Sequence, residues 1–251
     1  TLSLHDALPI LFYMEDWKKS EGTFNLACDL ERASGMMQNT CVKIEHVTKR
    51  FGEDMVLQEV NLSLKTGNVY GIVGNNGSGK TVLMKCICGF LPVTTGTIFV
   101  FGKKIGHDVD FPESLGVIIE TPGFLTQYTG FKNLEILADM NGRISKADIR
   151  IVLKRVGLNP DMKKPVGKYS LGMRQRLGIA QAIMEDPLFL ILDEPFNGLD
   201  KHGVEEIREL LLDLKAAGKT ILLASHNEED IRILCDHVYE MDGGILRERT
   251  A

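Results

Sequence analysis

Apolar and polar residues alternate along two stretches of the chain between positions 42 and 64. Val42 and Ile44 are apolar positions of the first stretch, and Val60, Leu62 and Leu64 are apolar positions of the second. Successive side chains of a β-strand point to opposite faces, so each stretch has one apolar face. The alternation therefore predicts two half-buried strands that pair in antiparallel fashion.

Three further runs are short and almost wholly apolar, at residues 69–73, 188–192 and 220–224. Strands of a parallel sheet have this character because helices cover both faces of the sheet. A helical pattern at 204–217 separates the last two runs, and 97–101 forms another extended segment. Strands that alternate with helices predict an α/β fold built on a parallel sheet.

Helical periodicity is present elsewhere in the chain as well. It predicts a helix at 82–90, which follows a glycine-rich loop after the first apolar strand and is stopped by Pro92. It predicts three more at 131–140, 146–156 and 171–184. We therefore expect a helical subdomain over about residues 124–186.

Charge and composition narrow the possible partners. Lys and Arg number 29 against 34 Asp and Glu, a formal net charge of −5. This balance disfavours broad attraction to nucleic acid or anionic lipid, so no nucleic-acid partner is expected. No apolar run approaches the roughly 20 residues that a membrane-spanning helix needs. The five cysteines lack Cys-x-x-Cys spacing, which indicates reduced thiols in a cytosolic protein.

Residues 1–35 are excluded from the predicted fold. Residues 1–10 resemble the translation of a sequencing adapter, and the residues after them show no sustained period of 3.6 or 2. They also lack the basic start and cleavage site of a secretory signal. We expect a non-native or disordered leader followed by one domain over 36–251. A genuine, loosely packed N-terminal extension is the alternative.

Residues 74–81 match the pattern G-x-x-x-x-G-K-[ST], with an apolar strand before them and a helix after them. Glycines let backbone N–H groups turn inward around a phosphate, Lys80 reaches the terminal phosphates, and the Thr81 hydroxyl binds Mg²⁺. A glycine turn with a surface lysine is the alternative. The predicted nucleotide-binding residues are Gly74, Asn75, Asn76, Gly77, Ser78, Gly79, Lys80, Thr81 and Val82.

The apolar run at 188–192 ends in Asp193 and Glu194. The carboxyl ends of parallel strands meet at one edge of a sheet, where bound phosphates lie. Asp193 is therefore predicted to hold Mg²⁺ through a water, and Glu194 to polarise the attacking water. A helix cap is the alternative interpretation of such an acidic pair.

Residues 169–176, YSLGMRQR, lie at the start of a predicted helix. With the glycine loop and the acidic strand end, this segment resembles the signature of the ATPase subunits of ATP-binding cassette (ABC) transporters, across residues 42–246. The resemblance implies a P-loop NTPase core with a parallel sheet, an antiparallel β subdomain and a helical signature subdomain. It also implies that Ser170 and Gly172 face ATP bound by a second ATPase subunit, arranged head to tail.

Three further positions match the family. Phe51 has the place of the aromatic residue that stacks on adenine, although a Phe beside a turn is a core residue about as often. Asp200, in the sequence NGLD, resembles the D-loop residue that couples the two ATP sites. His226, just after an apolar strand, resembles the switch histidine that contacts the γ-phosphate, and a structural histidine is the alternative.

The sequence also departs from the family pattern. Leu171 and Met173 stand where the signature has its first Gly and its Gln. Glu120 stands where the family has the Q-loop glutamine, a catalytic and Mg²⁺-contacting position, and its carboxylate adds a negative charge near the phosphates. The run IETPG around Glu120 and the signature together resemble the bacterial subgroup that handles peptide antibiotics, as in bacitracin resistance and lantibiotic immunity.

The sequence thus predicts an ATP-hydrolysing transporter subunit. Glu194 is the expected general base, Lys80 and His226 stabilise the γ-phosphate, and Thr81 and Asp193 hold Mg²⁺. A separate transmembrane permease would anchor the chain on the cytoplasmic face of the cell membrane. The alternatives are a non-transport ABC ATPase that acts on nucleic acid or ribosomes, and a regulator that binds nucleotide without hydrolysing it.

Overall fold

The computed structural model describes residues 39–120 and 123–249. The predictions for residues 1–35, including the adapter-like segment, lie outside the described residues. The strands in chain order are β1 (Thr40–Phe51), β2 (Asp54–Lys65), β3 (Val69–Val73), β4 (Thr95–Val100), β5 (Lys103–Lys104), β6 (Leu115–Ile118), β7 (Phe189–Asp193), β8 (Thr220–Ala224), β9 (His237–Asp242) and β10 (Ile245–Glu248). The helices are α1 (Lys80–Ile87), α2 (Gly130–Asn141), α3 (Lys146–Arg155), α4 (Leu171–Ile183), α5 (Lys201–Ala216) and α6 (Glu228–Leu234).

A four-stranded sheet has the order β2-β1-β4-β5, and all its pairings are antiparallel. Val42 lies opposite Leu64, and Ile44 lies opposite Leu62. These four side chains are buried, so the apolar faces of the two strands meet in the core. The predicted antiparallel pair is confirmed by this register.

A six-stranded sheet has the order β10-β9-β3-β8-β7-β6. Strands β9, β3, β8, β7 and β6 run parallel, and β10 joins β9 as an antiparallel edge. The predicted α/β class is confirmed. The sequence pattern did not predict β6, β9 or β10, because β6 contains a glycine and the other two carry charged residues without a clean alternation.

Local chemistry fixes where the helices begin and end. Thr129 caps α2 by accepting a hydrogen bond from the Lys132 amide, and Ser145 and Asp148 form a capping box at α3. Helix α1 begins two residues earlier than predicted, since Gly79 before it adopts a left-handed φ of 111°. It ends at Ile87 rather than at 90, ahead of a glycine with φ of 81°.

The six-stranded sheet separates two apolar clusters. Phe189 and Ile191 of β7 pack in the cluster that contains α1, whereas Leu190 and Leu192 pack in the cluster that contains α4 and α5. Both faces of β7 are therefore buried, which explains its unbroken apolar run. Among the described residues, no helix has the length and hydrophobicity needed to cross a bilayer.

The ends of three central strands lie at the same level. Ala224, the last residue of β8, pairs with Ile72 of β3 on one side and with Asp193 of β7 on the other. The segments that follow these strands therefore emerge side by side at the carboxyl edge of the sheet. This edge is where open α/β sheets bind their ligands.

Candidate functional site

Residues 74–79 form a glycine-rich turn between β3 and α1. Gly74, Gly77 and Gly79 all have positive φ angles, of 147°, 80° and 111°. A Cβ atom on Gly74 would lie 2.2 Å from the Met241 carbonyl oxygen, so only glycine fits there. The turn thus brings backbone N–H groups to the start of a helix, which is a typical anion-binding arrangement.

Lys80 closes this turn. Its side chain is nearly buried, with 7% exposed, and its ammonium donates to the carbonyl oxygens of Gly74 at 2.7 Å and Asn75 at 3.0 Å. An ammonium has three N–H donors, so these two hydrogen bonds leave one donor for an anion. The Ser78 hydroxyl is also buried, and it has no hydrogen-bond partner within the described part of the chain.

Thr81 and Asp193 bring two oxygen ligands together from distant parts of the sequence. The Thr81 hydroxyl, in the first turn of α1, donates to Asp193 Oδ2 at 2.6 Å. Asp193 is the last residue of β7. A hydroxyl beside a carboxylate suits a hard divalent cation such as Mg²⁺.

Glu194 and His226 form a second pair at the same edge. His226 Nδ1 lies 2.8 Å from Glu194 Oε2. The Glu194 backbone has a φ of 50°, an uncommon conformation for a residue other than glycine. It is held by a hydrogen bond from its own amide to the Ala224 carbonyl at 2.9 Å and by a bond from the Gln175 side chain to its carbonyl at 3.3 Å.

Glu120 lies at the far side of the same site. It follows β6, has a φ of 60°, and its Oε1 lies 2.6 Å from the Lys85 ammonium on α1. The sequence pattern indicates Glu120 but gives no motif for Lys85. The only signal for Lys85 would have been its place one helical turn after Thr81, since residues four apart share a helix face.

A cavity of about 730 Å³ lies at this edge of the sheet, and His226, Ser78 and Lys85 are not among the residues that line it. Lys80 and Thr81 line it from the start of α1, and Asp193 and Glu194 line it from the end of β7. Glu120 also lines it. Leu171, Arg174 and Gln175 of α4 also line this cavity, a position that the sequence pattern did not predict for them. The lining residues are Val56, Asn76, Gly77, Gly79, Lys80, Thr81, Val82, Glu120, Leu171, Arg174, Gln175, Asp193, Glu194, Asn197 and Gly198.

Ser170, Gly172 and Asp200 line a second cavity of about 440 Å³, which shares Gly198 with the first. Ser170 caps α4 by accepting a hydrogen bond from the Met173 amide at 3.2 Å. Asp200 caps α5 by accepting one from the Gly203 amide at 3.0 Å. The structure therefore does not bring these three residues to the cavity around Lys80, and it gives two of them a helix-capping role.

Phe51 is not among the residues that line the larger cavity. Its ring is 46% exposed, and the Lys49 ammonium lies 4.8 Å from the ring centroid. The exposure argues against a core role, which would require burial, and the Lys49 ammonium already lies over one face of the ring.

The residues at and beside the larger cavity fit a nucleotide and its metal. The unpartnered Ser78 hydroxyl, the glycine turn and the Lys80 ammonium offer hydrogen-bond donors to phosphate oxygens. The Thr81 and Asp193 oxygens offer ligands to Mg²⁺.

Comparison with known proteins gives a consistent result. The ABC transporter family matches the chain over residues 57–197. The chain is 42% identical over 217 residues to the bacitracin transport ATP-binding protein BcrA of Enterococcus faecalis, covering 86% of this chain and 70% of that protein. It is 36% identical over 210 residues to the lantibiotic transport ATP-binding protein SrtF of Streptococcus pyogenes, covering 83% and 90%.

The fold is similar to that of a solved dimeric structure of the ATP-binding cassette MJ0796, in a post-hydrolysis state bound to ADP and phosphate. The TM-score is 0.75 at 25% sequence identity, over 83% of this chain and 98% of that one.

Proposed function

The chain belongs to the ABC transporter family as an ATP-hydrolysing subunit, and we propose that it powers export of, or protection from, a peptide antibiotic or similar amphipathic compound. The observation that carries the site assignment is the convergence of Lys80, Thr81, Asp193 and Glu194 on one cavity at the carboxyl edge of the sheet. The substrate class rests on the bacitracin and lantibiotic transport functions named for two relatives.

Lys80, Glu194 and His226 carry the proposed chemistry on the phosphate chain. The Lys80 ammonium, already held at the glycine turn, stabilises negative charge on the terminal phosphates of ATP. Glu194 accepts a proton from the attacking water. His226 orients the Glu194 carboxylate through Nδ1 and contacts the γ-phosphate.

Thr81 and Asp193 are the proposed ligands of Mg²⁺, and Glu120, which lines the same cavity, is proposed as a further contributor. The bound ion would neutralise charge on the phosphate oxygens. The hydrogen bond from the Thr81 hydroxyl to Asp193 keeps both oxygens oriented.

Ser170, Gly172 and Asp200 are proposed to act across a head-to-tail dimer. Two features support this role: the three residues line a cavity other than that of Lys80, and the related cassette was solved as a dimer. Phe51 is proposed to stack on the adenine ring of ATP, consistent with its exposed ring.

A separate transmembrane permease is the proposed membrane partner, which would hold the chain at the cytoplasmic face of the membrane. The proposed ATPase domain spans 36–251, with its helical subdomain over about 124–186. The alternatives, a nucleic-acid-directed ATPase or a binding-only regulator, have less support, because the two relatives carry transport names.

The ATPase proposal is tested with the full chain, by steady-state turnover over a range of protein concentrations. The rate of ATP hydrolysis should rise faster than linearly with protein concentration if residues of two subunits complete each ATP site. Glu194→Gln should lower kcat by about 100-fold or more, the loss expected for a general base. Glu209→Gln, an exposed change on α5, is the matched control and should leave kcat unchanged. Equal turnover in Glu194→Gln and the wild type would contradict the proposal.

The substrate class is tested in the host organism. Deletion of the gene should lower the minimal inhibitory concentration of bacitracin or of a lantibiotic, and complementation with wild type but not with Glu194→Gln should restore it. Unchanged sensitivity to both compounds, alongside normal ATPase activity of the protein, would overturn the substrate class alone.

A further inference from the structure

His226 lies in the short segment between β8 and α6, and both its neighbours are anchored. The Ser225 side chain is buried, with 1% exposed. Its hydroxyl accepts a hydrogen bond from the Asn227 amide at 3.1 Å and donates to Asp230 Oδ2 at 3.4 Å. The backbone on either side of the histidine is thus tied to one buried serine.

Asp230 connects that serine to α5. Its carboxylate is buried, with 2% exposed, and Oδ1 accepts hydrogen bonds from Arg208 Nε at 2.8 Å and from Nη2 at 2.5 Å. Arg208 Nη2 also donates to Glu229 Oε2 at 3.0 Å. The two oxygens of Asp230 therefore point to different partners, one to α5 and the other to the segment that carries His226.

A buried ion pair of this kind is a poor source of net stability. The free energy needed to remove the charges of Arg208 and Asp230 from water offsets much of their electrostatic attraction. Apolar residues at these two positions would pack α5 against α6 equally well. Burial by itself lowers the pKa of Arg208, but hydrogen bonds to Asp230 and Glu229 raise its pKa above the ordinary value. The pair is thus charged and directional, and its hydrogen bonds from Nε and Nη2 of Arg208 fix the geometry of the two side chains.

We infer that Arg208 and Asp230 are positioning residues for His226: through Ser225 they hold the histidine where its Nδ1 meets the Glu194 carboxylate. This inference rests on the proposed function, since it assigns a purpose to a residue that the proposed reaction uses. Hydrogen bonds run from Arg208 to Asp230 and from Ser225 to Asp230. Ser225 precedes His226 in the chain, and its hydroxyl also holds the amide of Asn227 on the other side of the histidine.

The test compares kcat with KM for ATP in the full chain. Asp230→Asn and Arg208→Gln should lower kcat about tenfold with KM changed less than about twofold, the pattern of an interaction needed in the transition state. Ser225→Ala, which removes one hydroxyl and little volume, should lower kcat in the same way. If the two charge variants fail to fold, Ser225→Ala alone decides the outcome.

Lys215→Gln is the matched control. Lys215 also lies on α5 and pairs with Asp236, where its ammonium lies 2.5 Å from Oδ1, but this pair does not contact the His226 segment. The variant should keep the wild-type kcat. An equal loss of kcat in Lys215→Gln would mean that any broken ion pair on α5 slows the enzyme, and the positioning role would be overturned.

A double-mutant comparison separates this inference from the proposed function. His226→Ala should lower kcat, and adding Ser225→Ala should lower it no further, because the serine acts through the histidine. Losses that multiply would overturn the positioning role. A wild-type kcat in His226→Ala would overturn the proposed role of His226 itself.

Discussion

The Lys85 ammonium lies 2.6 Å from the Glu120 carboxylate, and Glu120 lines the cavity that Lys80 and Thr81 also line. We propose that Glu120 has the place of the family's neutral Q-loop glutamine, so that its carboxylate adds a negative charge beside the proposed phosphate site. Lys85 places a positive charge against that carboxylate, from the helix that begins with Lys80. Charge balance at the site thus depends on a residue outside the motifs.

Lys85→Gln should weaken ATP binding about threefold to tenfold, because it leaves Glu120 unpaired beside the phosphates. The effect is modest since the Glu120 side chain is 63% exposed and water screens exposed charges. Glu120→Gln should retain ATP binding, and Lys85→Gln combined with Glu120→Gln should restore it. Equilibrium titration with a fluorescent ATP analogue at low salt measures all three.

A complete loss of binding in Glu120→Gln would argue against this assignment of Glu120. Equal affinity of Lys85→Gln and the double variant would show that the two charges are not coupled.

Asp193→Asn should raise the Mg²⁺ concentration that supports half-maximal ATPase activity by about tenfold, because an amide oxygen binds a hard cation more weakly than a carboxylate does. Turnover at fixed ATP over a Mg²⁺ series measures the change. Asp213→Asn, an exposed change on α5, serves as the control with a wild-type Mg²⁺ dependence. An unaltered Mg²⁺ requirement in Asp193→Asn would remove Asp193 from the proposed metal site.

Gly74→Ala should abolish ATP binding and lower the free energy of unfolding by about 3 kcal/mol or more, since its Cβ would meet the Met241 carbonyl oxygen at 2.2 Å. Gly77→Ala has open space around its Cβ and should cost only about 1 kcal/mol, the strain of a left-handed φ. Urea unfolding compares the two variants. Equal losses would show that backbone strain rather than the close contact governs this turn.

The stability of the protein should fall as pH rises above about 9. Burial raises the pKa of Cys86 from its ordinary 9.0 to about 11, so the thiol ionises earlier in the unfolded chain than in the fold. Below pH 9 the thiol is neutral in both states, and the free energy of unfolding does not depend on its ionisation. Between pH 9 and pH 11 the free energy of unfolding falls by about 1.4 kcal/mol per pH unit.

Urea unfolding of wild type and Cys86→Ala at pH 8, 9 and 10 tests this point. Cys86→Ala should be less stable at every pH because it leaves a cavity, but its stability should fall less steeply with pH. Parallel curves for the two proteins would contradict the raised pKa.

Much of the fold follows from sequence because several elements have complete local signals. The alternation around Val42 and Leu64 predicts their pairing, and the apolar run of β7 predicts burial on both faces. The meeting of Thr81 with Asp193 follows from the rule that parallel strands share a carboxyl edge. For these residues, the sequence motif and the sheet topology predict the same contacts.

Other contacts have no local signal. Lys85 and Glu120 lie 35 positions apart, on α1 and after β6. Arg208 contacts Asp230 only because α5 packs beside α6. Ser170 and Asp200 occupy helix N-caps, a role that short polar residues take in many proteins. Their partners depend on the tertiary arrangement of segments that the sequence pattern describes only one at a time.

The 112 residues that separate Thr81 from Asp193 along the chain have a consequence for synthesis. A nascent chain that has made the glycine turn still lacks β7, and then β8, which must insert beside β3 before the site exists. Such non-local strand pairing is slow and comes late in folding. ATP therefore stabilises only molecules that have completed their core, and nucleotide added during refolding will favour the finished fold over its intermediates.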